Sequence, residues 1–157
     1  MLLEGSCHCG AVRFTVASST PHPYQRCYCS ICRKTAGGGG YAINLGADAD
    51  TLHVEGIEET GVYHARMADG ESPAERRFCR RCGSALWLWD PRWPELVHPF
   101  ASAIDTELPV PPARTHIMRR SKAGWVEPEI GKGDEVFDEY PERSIEDWHR
   151  ARDLTVE

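Results

Sequence analysis

The stretch Gly5-Ser6-Cys7-His8-Cys9-Gly10-Ala11-Val12-Arg13-Phe14, together with Phe78-Cys79-Arg80-Arg81-Cys82-Gly83 about 70 residues later, decides the fold. Each contains two cysteines one or two residues apart, followed directly by glycine. Glycine there lets the backbone curl so that N–H groups approach the sulfurs. Two such turns offer four thiolates, the closed tetrahedral ligand set of a structural zinc. Cys7 and Cys9 with Cys79 and Cys82 would then tie the first hairpin to a distant turn and clamp the sheet between them. The opposing reading, four ordinary buried cysteines, leaves the two glycine-terminated turns unexplained.

Outward from these turns the apolar pattern is short and alternating. Val12, Phe14 and Val16 share one face of a strand, with Arg13 and Thr15 on the other. Tyr41 to Leu45, Val62 to Arg66, Ala85 to Trp89 and Leu96 to Phe100 read as further strands, and His116 to Met118 and Trp125 to Glu127 as weaker ones. Gly, Pro and Asp clusters separate them. The predicted fold is mainly β, built of antiparallel sheets with zinc-ribbon-like cysteine knuckles. One C-terminal helix is predicted after Pro141, where Ser144-Ile145-Glu146-Asp147 resembles a capping box and Ile145 and Trp148 can share an inward face. A short turn of helix can follow Cys29. The length of 157 residues suggests one domain, with a core over about 3–130 and an acidic tail over 134–157.

A third group, Cys27-Tyr28-Cys29-Ser30-Ile31-Cys32, has three cysteines and no fourth left to join them. Three thiolates and one exchangeable position form a reactive zinc site. His8, His22, His53, His64, His98 or His116 could close it instead. Three thiolates weaken the ion as an activator of water and make sulfur a favoured fourth ligand. A thiol bound there would ionise. Arg33 and Lys34 follow, then the run Gly37 to Gly40, of which Gly38 and Gly39 are candidates for close approach by a ligand. A solvated turn is the alternative. Arg76, Arg77, Arg80 and Arg81 read first as a solvated face beside the four-cysteine site, and second as a dock for an acidic peptide such as glutathione. Trp87, Trp89 and Trp93 read as core or rim.

The net charge of −6 disfavours a nucleic-acid surface and an anionic membrane. The start of the chain lacks the basic and apolar regions of a signal peptide, and the odd cysteine count of seven precludes complete internal disulfide pairing. A cytoplasmic location is expected.

The order Gly5-x-Cys7-x-Cys9-Gly10-x-Val12-Arg13-Phe14, Cys27-x-Cys29-x-x-Cys32-Arg33-Lys34 and Phe78-Cys79-x-x-Cys82-Gly83 closely resembles the glutathione-dependent formaldehyde-activating enzyme family, also called the centromere-protein-V/GFA domain family. The likeness runs from Gly5 to about Trp125. It implies a structural zinc on Cys7, Cys9, Cys79 and Cys82 and a catalytic zinc on Cys27, Cys29 and Cys32, matching the partition drawn from spacing. It also implies a carbon–sulfur lyase-type activity that joins glutathione to formaldehyde as S-(hydroxymethyl)glutathione. For such an addition the residues themselves offer Lys34 or Arg33 as candidate donor to the developing alkoxide. Ser102-Ala103-Ile104-Asp105 stands where the family commonly has Gly-Ser-Leu-Asp, which leaves Asp105 a structural capper. Three other readings stand beside this one: a non-catalytic zinc-stabilised module that binds glutathione or a protein, a redox sensor built on the middle trio, and nucleic-acid binding.

Overall fold

The computed structural model describes residues 1–157. Strands are numbered in chain order. The first sheet joins β1 (Leu2–Ser6), β2 (Arg13–Ala17) and β6 (His53–Glu55), all antiparallel. The β1–β2 turn carries Cys7 and Cys9. Cys7 N–H donates to Val12 O at 3.0 Å and Gly10 N–H to Cys7 O at 3.0 Å. Gly10 sits at φ 76°, in the left-handed region, as a glycine in this turn should.

The second sheet has the order β5 (Ala47–Asp48), β12 (Leu96–Pro99), β11 (Ala85–Trp89), β10 (Glu75–Cys79), β7 (Thr60–Tyr63), again antiparallel throughout. Its β10–β11 turn carries Cys79 and Cys82 and repeats the first: Gly83 N–H donates to Cys79 O at 2.8 Å, with Gly83 at φ 78°. The two sheets enclose the main core. Leu3, Phe14, Val16, Leu86, Trp87 and Val97 are each at most 3% exposed within it. Phe14 meets Trp87 edge-on with centroids 5.2 Å apart.

A third sheet has the order β14 (Glu135–Val136), β13 (Thr115–Ile117), β3 (Gln25–Cys27), β4 (Ala42–Ile43). Here β13 runs parallel to both neighbours, an exception to the antiparallel expectation. Parallel pairing needs a long connection, and the whole second sheet is inserted between β3 and β13. A small exposed hairpin, β8 (Arg66–Met67) and β9 (Gly70–Glu71), completes the strands. The helix α1 (Ser30–Ala36) follows Cys29, and α2 (Ile145–Arg150) lies near the C-terminus.

Ala85–Trp89 matches its predicted strand, and Leu96–Pro99 and Arg13–Ala17 fall within a residue of theirs. Only Ala42–Ile43 of the Tyr41–Leu45 segment pairs as a strand, and β7 ends at Tyr63. Trp125 to Glu127 forms no strand: Val126 is buried from a loop. Ser144 caps α2 by accepting from Asp147 N–H at 3.0 Å. The short Asp147 carboxylate accepts from the Ser144 hydroxyl at 2.8 Å rather than reaching the Ser144 amide, so the capping box is half formed. Trp148 is 1% exposed and stacks on Tyr24, centroids 3.7 Å apart. The segment from Asp134 therefore supplies a sheet strand and a buried aromatic anchor. No helix is long and apolar enough to cross a membrane.

Candidate metal centres and adjoining cavity

The two glycine-closed turns bring Cys7, Cys9, Cys79 and Cys82 together, their sulfurs all within 4.8 Å of one another. Cys7 Sγ lies 3.5 Å from Cys9 Sγ, and Cys9 Sγ 3.8 Å from Cys79 Sγ. Zinc–sulfur bonds of about 2.3 Å in a tetrahedron separate sulfurs by roughly 3.8 Å, so this cluster could hold a metal ion with spacing consistent with zinc. Backbone and side-chain donors surround it. Val12 N–H donates to Cys7 Sγ at 3.3 Å, and the Ser84 hydroxyl lies 3.2 Å from Cys82 Sγ. The Ser84 hydroxyl, followed by backbone N–H groups, brings Cys82 down to about 5. Cys7 and Cys79 are buried while Cys9 and Cys82 are exposed.

The second cluster gathers Cys27, Cys29 and Cys32, again with every sulfur within 4.8 Å of the others. Cys27 closes β3; Cys29 is the N-cap of α1, its sulfur accepting from Cys32 N–H at 3.3 Å; Cys32 is one turn inside that helix. Hydrogen bonding from Cys27, then Cys32, drives Cys29 down to about 2, while contact with Cys29 pushes Cys27 far up. Crowded sulfurs without a cation can ionise only one at a time. A divalent cation removes that conflict, so the donor set fits a metal ion.

None of the candidate histidines joins either cluster. His64 and His98 are spent on carbonyls of Ser72, Ala74 and Leu45, and His22 packs against His149. His116 is buried against Tyr28 and Asp134. His8 and His53 are exposed.

The cation at the second cluster is Arg76. Its guanidinium donates to Cys32 Sγ at 3.7 Å and to Thr35 Oγ1 at 3.2 Å. Its sequence neighbours group Arg76 with a solvated face beside the other cluster; strand alternation along Glu75–Cys79 is the signal that separates it from Arg77. Arg77 turns to Thr60 and Glu75. Only Arg80 and Arg81 form the solvated face, bonding Glu58 O and the Glu59 carboxylate. Arg33 is half-buried with Nε unpaired, and Lys34 is exposed on α1. Gly38 and Gly39 are exposed, and a Cβ at Gly38 would meet nothing within 4 Å. The constrained glycines of the run are Gly37, where a Cβ would lie 2.2 Å from Tyr41 O, and Gly40, at φ 91°, where one would lie 2.3 Å from Val126 Cγ2. Asp105 accepts from the Ser6 hydroxyl at 2.6 Å and so caps the end of β1.

Thr35 and Arg76 also line a cavity of about 260 Å³, with Tyr63, Arg77, Phe78 and Phe100 among its other walls. Its walls combine apolar residues with the two arginines. A larger cleft of about 510 Å³ lies on the first sheet, lined by Glu4, Glu55, Asp105 and His53; neither hollow has a cysteine in its wall, and only the smaller one includes a residue that contacts the trio.

The glutathione-dependent formaldehyde-activating enzyme family matches residues 2–120 of the chain. A protein of Halomonas elongata, provisionally named a glutathione-dependent formaldehyde-activating enzyme, is 65% identical over 149 residues, covering 95% of each chain. A crystal structure of a Rhodobacter sphaeroides protein matches with a TM-score of 0.54 at 30% identity, covering 68% of this chain and 91% of that one. A match over most of the chain, a span that includes all seven cysteines, establishes that the chain belongs to the glutathione-dependent formaldehyde-activating enzyme family.

Proposed function

We propose that the protein joins a thiol of the glutathione type to an aldehyde of the formaldehyde type, giving an S-(hydroxymethyl) adduct, and catalyses the reverse carbon–sulfur lyase reaction at the same site. In the forward direction a C–S bond forms, the carbonyl π bond breaks, and the thiol proton ends on the new hydroxyl. No oxidant or reductant is needed.

The observation that carries this reading is the convergence of three sulfurs, Cys27, Cys29 and Cys32, with no fourth protein ligand beside them. Cys7, Cys9, Cys79 and Cys82 hold the structural zinc in this reading, and the trio holds the second. Cys27, Cys29 and Cys32 would hold that ion, which when bound would favour the ionised form of a substrate thiol. Arg76 offsets the negative charge of the trio from 3.7 Å and also lines the cavity. Arg76 thus suits a substrate carboxylate or the alkoxide that develops as sulfur attacks carbon. Arg33, Lys34, Gly38 and Gly39 are assigned the outer contacts with the thiol substrate. The cavity of about 260 Å³ lies at the small end for ligand sites, matching one arm of a tripeptide better than the whole.

The test mixes zinc-loaded protein with glutathione and formaldehyde and follows adduct formation by exchange NMR. Exchange faster than in a protein-free control is expected. An uncatalysed rate with glutathione bound, measured by calorimetry, would replace the enzyme with a binding module; an uncatalysed rate without binding would remove glutathione altogether.

A further inference from the structure

Tyr28 stands between two sulfurs of the trio, Cys27 and Cys29, and is 0% exposed. Its hydroxyl lies 2.8 Å from His116 Nδ1, and His116 Nε2 lies 3.0 Å from Asp134 Oδ2. The His116 and Asp134 side chains are 0% and 2% exposed. Asp134 is itself fixed: Arg114 N–H donates to Oδ1 at 2.7 Å and Gly131 N–H to Oδ2 at 2.9 Å. Burial raises the Asp134 carboxyl, but these three donors outweigh it and hold the group below its ordinary range. An ionised carboxylate only accepts, so His116 carries its proton on Nε2; in the neutral ring Nδ1 then accepts from the Tyr28 hydroxyl. The backbone follows the same line. Tyr28 N–H donates to Ile117 O at 3.1 Å, and Phe137 N–H to His116 O at 2.8 Å.

We propose that Asp134, His116 and Tyr28 form a positioning relay that fixes the Cys27-Tyr28-Cys29 segment and so governs retention of the ion at the three-sulfur cluster. This rests on the reading that the cluster binds zinc. A three-ligand site has no fourth sulfur to hold the ion while one bond breaks. Its retention depends on how little the three sulfurs can spread. Tyr28 couples two of them to a buried network, so a loosened ring frees both neighbours. Asp134 lies beyond residues 2–120, the span matched by the family. The C-terminal segment of this chain thereby takes part in its metal site.

The experiment compares zinc-loaded wild type with Tyr28→Phe, Asp134→Ala and the double variant. A colorimetric chelator reads ion release, and the four-sulfur ion serves as internal control. Wild type should release two ions in two phases. Each single variant should speed the fast phase about tenfold, the scale on which groups that orient ligands act. The slow phase should stay at the wild-type rate. The double variant should be no faster than the faster single variant, because both act through His116. An unchanged fast phase in Tyr28→Phe, additive effects, or both phases quickening in step with a lowered urea midpoint would overturn the relay. Tyr28→Phe removes one oxygen atom and carries the test alone if Asp134→Ala does not fold. A wild type releasing a single ion overturns the zinc reading and the relay with it; two phases with unmoved variants overturn the relay alone.

Discussion

Replacing Arg76 separates the proposed chemistry from the sequence's first choice of cation. Three thiolates around a divalent ion leave one net negative charge, and an ionised substrate thiol adds another. Arg76 faces that charge with N–H groups 3.7 Å from Cys32 Sγ and 3.2 Å from Thr35 Oγ1. Unit charges near 4 Å interact by about 1 kcal/mol in water and about 4 kcal/mol at an effective dielectric constant of 20. Arg76 is half-buried, so solvent screening favours the lower part of that range. About 1.4 kcal/mol is a factor of ten. Arg76→Met should therefore lower kcat/KM for adduct formation about tenfold or somewhat more, with circular dichroism unchanged. Arg76→Lys should recover only part, because an ammonium keeps the charge but not the two-pronged geometry. Lys34→Ala removes an exposed charge and should stay within about twofold. The assay is exchange NMR over a series of thiol concentrations. Wild-type turnover in Arg76→Met, or a larger loss in Lys34→Ala, would refute the assignment.

Trp148→Ala should cost about 3–5 kcal/mol in urea unfolding, because it empties a buried site stacked on Tyr24; a loss below about 1 kcal/mol would mean that the C-terminal helix is not anchored there. Gly40→Ala should lower the melting temperature and displace the glycine loop, whereas Gly38→Ala, facing open space, should leave the melting temperature near wild type. Acid should loosen the C-terminal helix through His149. Its Nδ1–H donates to Ile145 O at 2.8 Å and its Nε2 accepts from His22 N–H at 3.1 Å, so the packed ring is neutral. Burial, outweighing the opposing hydrogen bond to Ile145 O, lowers its pKa below 6.5. The unfolded chain then binds a proton that the folded chain refuses, and local stability falls as pH drops through about 6.5 toward the lowered folded value. Amide exchange at Leu154, whose N–H donates to His149 O, should show a larger opening fraction at pH 5.5 than at 7.5 after correction for intrinsic rates. Equal opening at both pH values would count against it.

The parts of this protein that were legible in its sequence are those set by neighbours in the chain. A Cys-x-Cys-Gly or Cys-x-x-Cys-Gly turn fixes its own backbone, so both knuckles could be read and paired. Ser144 capping Asp147 N–H is equally local. The missed features depend on residues far apart. Leu2–Ser6 and Glu75–Cys79 carry too many polar residues to be recognised as strands until partners cover one face. The parallel pairing of β3 with β13 joins segments separated by the whole second sheet. Arg76 meets Cys32 only because β10 passes beside α1, and the contacts among Tyr28, His116 and Asp134 need three strands in register. Family likeness supplied the chemistry that local spacing suggested, but residues such as Arg76 and Asp134 emerge only from packing.

The most direct test counts zinc by mass spectrometry in purified wild type, Cys29→Ser and Cys82→Ser. Two ions should fall to one in Cys29→Ser with the β-sheet spectrum intact. In Cys82→Ser the loss should fall on the other ion and be accompanied by lower thermal stability. A wild type with one ion, or a Cys29→Ser protein that still holds two, would contradict the division of the seven cysteines into a closed set of four and an open set of three.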